Sequence, residues 1–577
     1  MAEPTIQLGG GNWAGKTDNL LGYYKEGERF YKQDFTFSRS TTGTYTDKDG
    51  YIQEMPYNLA TYSEDFSNAS WVKSNVTIET SINTSPLGYS QKIVGDNNTS
   101  LKLLYKNNII TPTRTISALV KAEGYNYAII FTGGGARVVF DLLNGVVGHS
   151  IGTFQDASIN SQGDGWYIIS MSNPNHTSYA SVTGAASNSV YDRTGNGIDG
   201  ISLAYIQVNK GTSAKTYFPT TTRLNMPRVD YLNNSNGSLI LEPQRSNLLI
   251  YSQKFSQWSQ TRTTNTDNEI ISPDGSLNSS LITENTTLDS KYTFLNLTTT
   301  TNEHTLSFFA KYKGRYLQVL FGSNDVTGNP YINFDLENGS YDNNGVTNPS
   351  IENYGNGWYK CTLSVTPIVT SNFGVFFSPI PSLTSSRLTS YQGDGTSGVY
   401  LWGAQLEQGS YPTTLINTSG SSVTRNQDAC SLTNVADRIG QTEGTMFIDI
   451  DFIDIGSVQV LLSVHDGASN KRLEIWANGS VVNGFIGGSV NIAIGNTTIS
   501  EGRHKLAVAY NQSGDQAFYV DGVQVGTSST AYTIAALTQL SYNLYDGSRY
   551  YANGSVNQTQ IYNTRLSNSE LATLTTL

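Results

Sequence analysis

Residues 58–71 read NLATYSEDFSNASW, and residues 247–258 read NLLIYSQKFSQW. Asn58, Leu59, Tyr62, Ser63, Phe66, Ser67 and Trp71 find counterparts in Asn247, Leu248, Tyr251, Ser252, Phe255, Ser256 and Trp258. Further along each copy a second phrase recurs, Gly163-Asp-Gly-Trp-Tyr167 and Gly355-Asn-Gly-Trp-Tyr359. Between them lie TISALVK (115–121) against TLSFFAK (305–311), and VFDLLNG (139–145) against NFDLENG (333–339). The order is the same in both copies, and the spacing drifts only as loop insertions would make it drift. Each copy spans roughly 165–175 residues, the size of one β domain and far longer than a solenoid or propeller unit. The repeat is therefore a tandem of whole domains.

Composition agrees with a β reading. Of 577 residues only 14% are charged, 55 are Gly, and Tyr (36) outnumbers Phe (21). Ser, Thr and Asn compete with a helical backbone for hydrogen bonds and favour strands joined by tight turns. FIDIDFI (447–453) and AFYVDGVQV (517–525) alternate with period two. Only the last dozen or so residues look helical, opened by Ser567 and Glu570 as a capping box. The predicted fold class is all-β: tandem β-sandwich, jelly-roll domains in an elongated chain with a short N-terminal anchor.

The net charge is −11 with no basic run, which argues against a nucleic-acid partner. No stretch reaches the ~18 apolar residues of a membrane span, so no membrane insertion is expected. MAEPTIQLGGGNW lacks a secretory signal, so synthesis in a host cytoplasm without export by that route is expected. Cys361 and Cys430 fall in different units and are expected as two buried thiols.

The chain divides as follows. Residues 1–35, rich in aromatics including Trp13, are too short for a core and are expected to anchor on a partner. Residues 36–56 carry the Asp47-Lys-Asp-Gly50 turn of a hairpin, and 221–246 a second hairpin near Asn236-Gly237. Residues 57–220 and 247–429 are the two copies. Residues 430–577 form a third domain with a strand–Asp521-Gly522–strand hairpin.

That third domain resembles the concanavalin-A-like sandwiches of laminin-G type, through its DG hairpin and its ending, Ile561-Tyr-Asn-Thr-Arg-Leu-Ser-Asn-Ser-Glu-Leu571. The repeated unit resembles the carbohydrate-binding-module-like sandwiches of bacteriophage fibre and virion surface proteins. Their opening and GxGWY recur in both copies, and their close stands intact as GDGTSGVYLWGAQLEQG (393–409). The first copy departs from that close, with Tyr205 and Asn209 where the second has Trp402 and Glu407. RSTTGTYTDKDGYI (39–52) and PRVDY (227–231) with LILEPQRSNLL (239–249) resemble two halves of one phage segment, and the first copy sits between them. The first copy is therefore read as an insertion, with 36–56 and 221–246 packing together as one connector.

No catalytic constellation emerges. His149, His176, His304, His465 and His504 are scattered, and no zinc, P-loop or nucleophile-elbow motif occurs. Acidic pairs such as Glu64-Asp65, or Asp449 with Asp451, could flank a glycosidic bond, as could pairs on most exposed strands. Binding of sugars needs aromatic faces and amides, which are abundant here. The candidate ligand contacts are Tyr545, Arg549, Tyr550, Tyr551, Trp402 and Glu407, while the GWY tryptophans are expected in the core. No cofactor is expected, except that Asp394 and Asp466 are candidate Ca²⁺ positions, with a plain DG turn as the competing reading.

The resemblance implies a bacteriophage head or tail fibre on the virion surface. It would be a homo-oligomer, a trimer by preference, joined to other virion proteins through residues 1–56 and contacting host cell-surface glycans. The alternatives are a polysaccharide depolymerase spike and a decoration protein without a ligand.

Overall fold

A computed structural model of the chain describes residues 2–10, 14–16, 19–26, 29–39, 41–55, 58–107, 114–173, 179–192, 194–210, 213–215, 217–220, 227–453, 456–468, 471–534, 536–544, 547 and 550–577. Trp13, His176, Tyr545 and Arg549 lie outside them. Backbone contacts divide the chain into two compact units: Met1–Met55 with Asn225–Leu577, and Pro56–Leu224. The architecture is tandem β-sandwiches, with one α-helix, Asn568–Thr575, among the described residues. No described helix is long and apolar enough to cross a membrane.

The two copies share their topology strand for strand. In the first, one sheet runs Val76–Thr80, Gln91–Gly95, Gly200–Lys210, Arg114–Glu123, Trp166–Asn173, Asp156–Ser161. In the second, the same order is Thr263–Asp267, Ser280–Glu284, Gly398–Gln408, His304–Lys313, Trp358–Val365, Thr347–Gly355. Each faces another six-stranded sheet across an apolar core, built around residues such as Ile130, Phe140 and Val182 in the first copy and Phe308, Phe334 and Phe377 in the second.

The repeated phrases are now legible as joints. Asn58 donates to Ile206 O and Phe218 O and accepts from Ala60 N and Val208 N. Asn247 donates to Ala404 O and Ile416 O and accepts from Leu249 N and Leu406 N. Each Asn uses its whole amide to tie the opening segment to the closing strand and the tail beyond it. Ser63 and Thr220 exchange hydrogen bonds, as do Ser252 and Thr418. Trp71 and Trp258 donate to Tyr62 O and Tyr251 O. The GxGWY phrase is a turn with three successive left-handed residues, φ 85°, 49° and 77° at Gly163–Gly165 and 84°, 52° and 75° at Gly355–Gly357. Glycine meets that demand without strain, and Asp or Asn tolerates it best among the others.

The C-terminal domain corrects the expected boundaries. Ile6–Gly9 pairs with Gly554–Tyr562, and Arg29–Ser38 pairs with Ala429–Leu432. Ser238–Leu241 adds to the same Gly554–Tyr562 strand. The pairings close into one circuit around a core that includes Ile6, Leu8, Phe35, Phe37, Leu239 and Leu241. Residues 6–9 and 35–38 are thus strands of this domain rather than a separate anchor, and 430–577 is not a complete domain. The reason is burial: these apolar side chains are almost fully hidden only against the C-terminal strands. The Asp521-Gly522 turn, with φ 51° and 82°, and the Ser567–Glu570 capping box are both present.

The hairpins Thr44–Thr46/Ile52–Glu54 and Arg228–Asp230/Ser238–Leu241 meet directly. Tyr231 N donates to Thr46 O at 2.9 Å, and Thr46 N to the Asp230 carboxylate at 2.5 Å. Beneath them three buried arginines and three buried acids interlock. Asp428 accepts from Arg39 at 2.8 Å and Arg228 at 2.5 Å, and Glu242 pairs with Arg228 at 2.7 Å and Arg425 at 2.9 Å. The third acid is Glu407, on which Arg425 also acts.

Candidate functional site

The outer face of the sheet that carries the GWY strand distinguishes the two copies. In the second copy this face is occupied. Phe309, Trp358, Trp402 and Leu415 form a buried cluster joined by Ile52 of the connector and by Tyr354. Trp402 is 1% exposed and packs on Phe309 with ring centroids 5.4 Å apart. Glu407 is fully buried; it accepts from Thr413 N at 2.9 Å, Gln405 Nε2 at 2.6 Å and the Thr413 hydroxyl. Burial pushes its carboxyl above the usual range. Both residues are corrections to the sequence reading: neither can touch a ligand at the surface, because they hold the sandwich tail and the connector side of the sheet.

In the first copy the residues at matching register form an open groove of about 460 Å³. Leu119, which faces Tyr205 across the sheet as Phe309 faces Trp402, is buried with Tyr205 beneath its floor, against which Ile168 and Tyr217 pack. Tyr217 stands where the second copy has Leu415, since Phe218 N and Ile416 N, each one residue on, donate to Gln207 and Gln405. Its ring stacks on Tyr205 at 3.7 Å and 10°. The Tyr217 hydroxyl is fixed by Ser63 Oγ and Glu64 Oε1, both at 2.8 Å. Burial pushes the Tyr205 phenol up to about 12 and that of Tyr217 further still, so both stay neutral hydrogen-bonding groups. The rim carries Leu87, 43% exposed, the exposed amides of Asn160 and Gln162, and Lys215. Trp166 is buried beneath, donating to Thr84 O at 3.2 Å, just as Trp358 donates to Ile271 O at 3.1 Å.

A ligand cleft of a few hundred Å³ with an apolar floor and a few placed polar groups is what a small oligosaccharide needs. Ring faces cover its C–H surfaces, and amides and a cation meet its hydroxyls. The sequence contained a sign of this groove in Tyr205 and Asn209, the very departures from the family close. Asn209 there braces the groove's own wall, donating to Ser213 O at 3.0 Å and accepting from Lys215 N at 3.3 Å.

The other predicted positions are spread over the second copy and the C-terminal domain. Tyr550 is 37% exposed with φ 56°, and its carbonyl accepts from Val460 N; Tyr551 donates its hydroxyl to Gly547 O at 2.7 Å. Asp394 is consumed by the Thr396 and Ser397 amides and hydroxyls and by Arg315 at 3.3 Å. Asp466 pairs with Lys471 at 3.0 Å and accepts from Ala468 N. A guanidinium or ammonium already sits where a cation would go in each. Among the described residues no group of three or more His, Cys, Asp or Glu converges on a metal position. The acidic pair Asp449 and Asp451 is likewise committed: Arg503 binds Asp449 in bidentate fashion at 2.9 and 2.7 Å, and Asn557 donates to both acids. A second groove, about 490 Å³ on the C-terminal domain, contains His465 3.0 Å from Ser541. His465 Nδ1 accepts from Gly467 N, so Nε2 carries the proton and donates to Ser541 Oγ, the wrong tautomer to activate a hydroxyl.

No protein-family model matches the sequence, and no curated protein matches it. Among solved structures, the chain is similar to the carbohydrate-binding module of a Ruminococcus gnavus sialidase bound to α2,3-sialyllactose, with 15% identity, 24% of this chain and 84% of that one covered, and a TM-score of 0.22. It is similar to the tandem CBM22 domains of Paenibacillus barcinonensis Xyn10C at 11% identity, covering 61% and 97%, with a TM-score of 0.20. The mouse laminin α1 LG4-5 pair matches at 11% identity, 49% and 88% coverage, and a TM-score of 0.17. Likenesses this slight carry no functional weight.

Proposed function

We propose that the protein is an adhesin of a bacteriophage virion surface, a head or tail fibre that binds host cell-surface glycan through the groove of its first sandwich copy. One observation carries the glycan reading. Where the second copy seats Leu415 against its own connector, the first copy has the half-buried Tyr217, its ring lying over the buried Tyr205, in a groove with an amide and lysine rim. The phage reading rests on the sequence resemblance of 39–52 and 227–249 to a virion segment. In this view the first unit is the display element, and the remaining sandwiches are the framework that presents it. The fibre is a homotrimer joined to other virion proteins.

The binding test is a glycan array with the full chain, followed by calorimetric titration of hits against Leu87→Asp/Gln162→Ala. The double variant changes exposed rim residues only and is expected to weaken binding at least tenfold with an unchanged melting temperature. Equal binding by variant and wild type would refute the groove assignment. Immunogold labelling of intact particles tests the virion placement, and sedimentation equilibrium tests the trimer.

A further inference from the structure

The connector hairpin does more than cover the second copy. Tyr51 stands beside its sheet face and walls a cleft of about 750 Å³ with Tyr354, Trp358, Tyr400 and Lys311. The hairpin is pinned there by Ile52 N donating to Pro273 O at 2.9 Å, and the Tyr51 ring lies over Gly275, where a Cβ would come within 3.1 Å of it. Tyr354 is set by an edge-on contact with Phe309, centroids 4.9 Å apart, and by Thr46 Oγ1 at 3.2 Å from its hydroxyl. Lys311 Nζ donates to Asn356 O at 2.6 Å, and Asp49 lies across the cleft's lining. Tyr51 and Ile271 remain 37% and 60% exposed inside this concavity, an apolar surface that nothing in the described residues covers.

We infer that this composite cleft is a second oligosaccharide site, one that exists only when the connector hairpin is docked, and that it takes a neutral sugar of two or three units. The inference rests on the glycan reading above, but not on the first-copy groove. The register shows that the site is not a duplicate of that groove. Tyr400 faces Lys311 across the sheet where the first copy has Ser202 facing Lys121, and Tyr354 precedes its GxGWY turn where the first copy has Gln162. The partly exposed rings of Tyr51, Tyr354 and Tyr400 offer faces to sugar C–H groups, with Trp358 packed behind them. Lys311 and Asp49 offset each other in charge, which disfavours an acidic sugar and leaves hydroxyl recognition. A ligand that contacts both Tyr51 of the hairpin and Tyr400 of the sheet binds only the docked arrangement, so it stabilises the junction in proportion to its occupancy.

The test is calorimetric titration of the full chain with arabinotriose, xylotriose, maltotriose and cellotriose, with tryptophan fluorescence recorded in parallel. Tyr51→Ala and, independently, Lys311→Met are expected to weaken one class of binding at least tenfold. Leu87→Asp/Gln162→Ala is expected to leave that class intact. A rise in melting temperature with the trisaccharide, present in wild type and absent in Tyr51→Ala, is the second readout. Retention of all binding in both Tyr51→Ala and Lys311→Met overturns the inference, as does the absence of binding to every trisaccharide. Equal binding of the array hits by wild type and Leu87→Asp/Gln162→Ala, with the trisaccharide class still lost in Tyr51→Ala and Lys311→Met, removes the groove assignment and leaves the composite cleft standing.

Discussion

Replacing Asp428 by Asn removes one negative charge from the buried cluster of Arg39, Arg228, Arg425, Glu242, Glu407 and Asp428 while preserving shape. All six are at most 4% exposed. Asp428 accepts two charge-assisted hydrogen bonds, from Arg39 at 2.8 Å and Arg228 at 2.5 Å, and one from Glu242 N at 3.0 Å. Hydrogen bonds to charged groups contribute about 1.5–3 kcal/mol each. Breaking a buried ion pair by removing one partner costs about 3–5 kcal/mol, because the other charge stays buried. The expected loss is therefore about 4 kcal/mol in the unit formed by Met1–Met55 and Asn225–Leu577. At a urea m-value of about 3 kcal/mol/M this lowers the midpoint by about 1.3 M. Hydrogen-exchange mass spectrometry across a urea series reads that unit and Pro56–Leu224 separately, and the second, which holds none of the six residues, is the internal reference. A shift under about 0.3 M, or an equal shift in both units, would refute the electrostatic account.

Acid should act on the same cluster. Arg425 and Arg228 oppose the penalty of burial and hold the Glu242 carboxyl at about 2 against a usual 4.5. A depressed carboxylate contributes stability that is complete above 4.5 and lost as pH falls towards 2, here about 3 kcal/mol, and Glu242→Gln should flatten that part of the pH–stability curve. Asn247→Ala removes four buried hydrogen bonds and should cost the second copy about 2–4 kcal/mol; Asn58→Ala should do the same to the first copy alone, as separate calorimetric transitions would report. Cys361 and Cys430 are buried with thiols pushed up by desolvation, so a thiol reagent should label neither until urea unfolds the domains. Gly398→Ala places a Cβ 1.9 Å from Ile282 O, a backbone atom, and should destabilise the second copy by at least 1–3 kcal/mol in a melting experiment.

The sequence revealed most where structure is local. The Asp47–Gly50, Gly355–Gly357 and Asp521-Gly522 turns need left-handed residues at fixed places, and only a few residue types supply them, so they leave a readable mark. The repeated Asn-Leu and Tyr-Ser phrases were visible as similarity, although their role as joints required coordinates. Ile6–Gly9 was not legible as part of the last domain, because a strand that pairs with Gly554–Tyr562 looks the same whatever its distant partner is. Trp402 and Glu407 misled for a different reason. On a sheet face, alternation tells which side a residue points to, but not whether another segment covers that side. Ile52, Leu415 and the 413–415 tail do so here. Tyr205 and Tyr217 are not legible as a site because loss of a family pattern reads as decay, and the stacking of Tyr217 on Tyr205 is visible only in three dimensions.

The insertion of the first copy has a structural consequence. Met55 N donates to Gly43 O, and Gly43 lies against the Arg228 side chain, where a Cβ would come within 3.2 Å. The framework therefore brings Met55 and Arg228, which flank the insertion, to neighbouring points. Such a slot behaves as a cassette socket. The connector, its ionic cluster and the closed C-terminal circuit are built wholly from residues on either side of the inserted segment, so exchanging that segment alters none of the residues that form them.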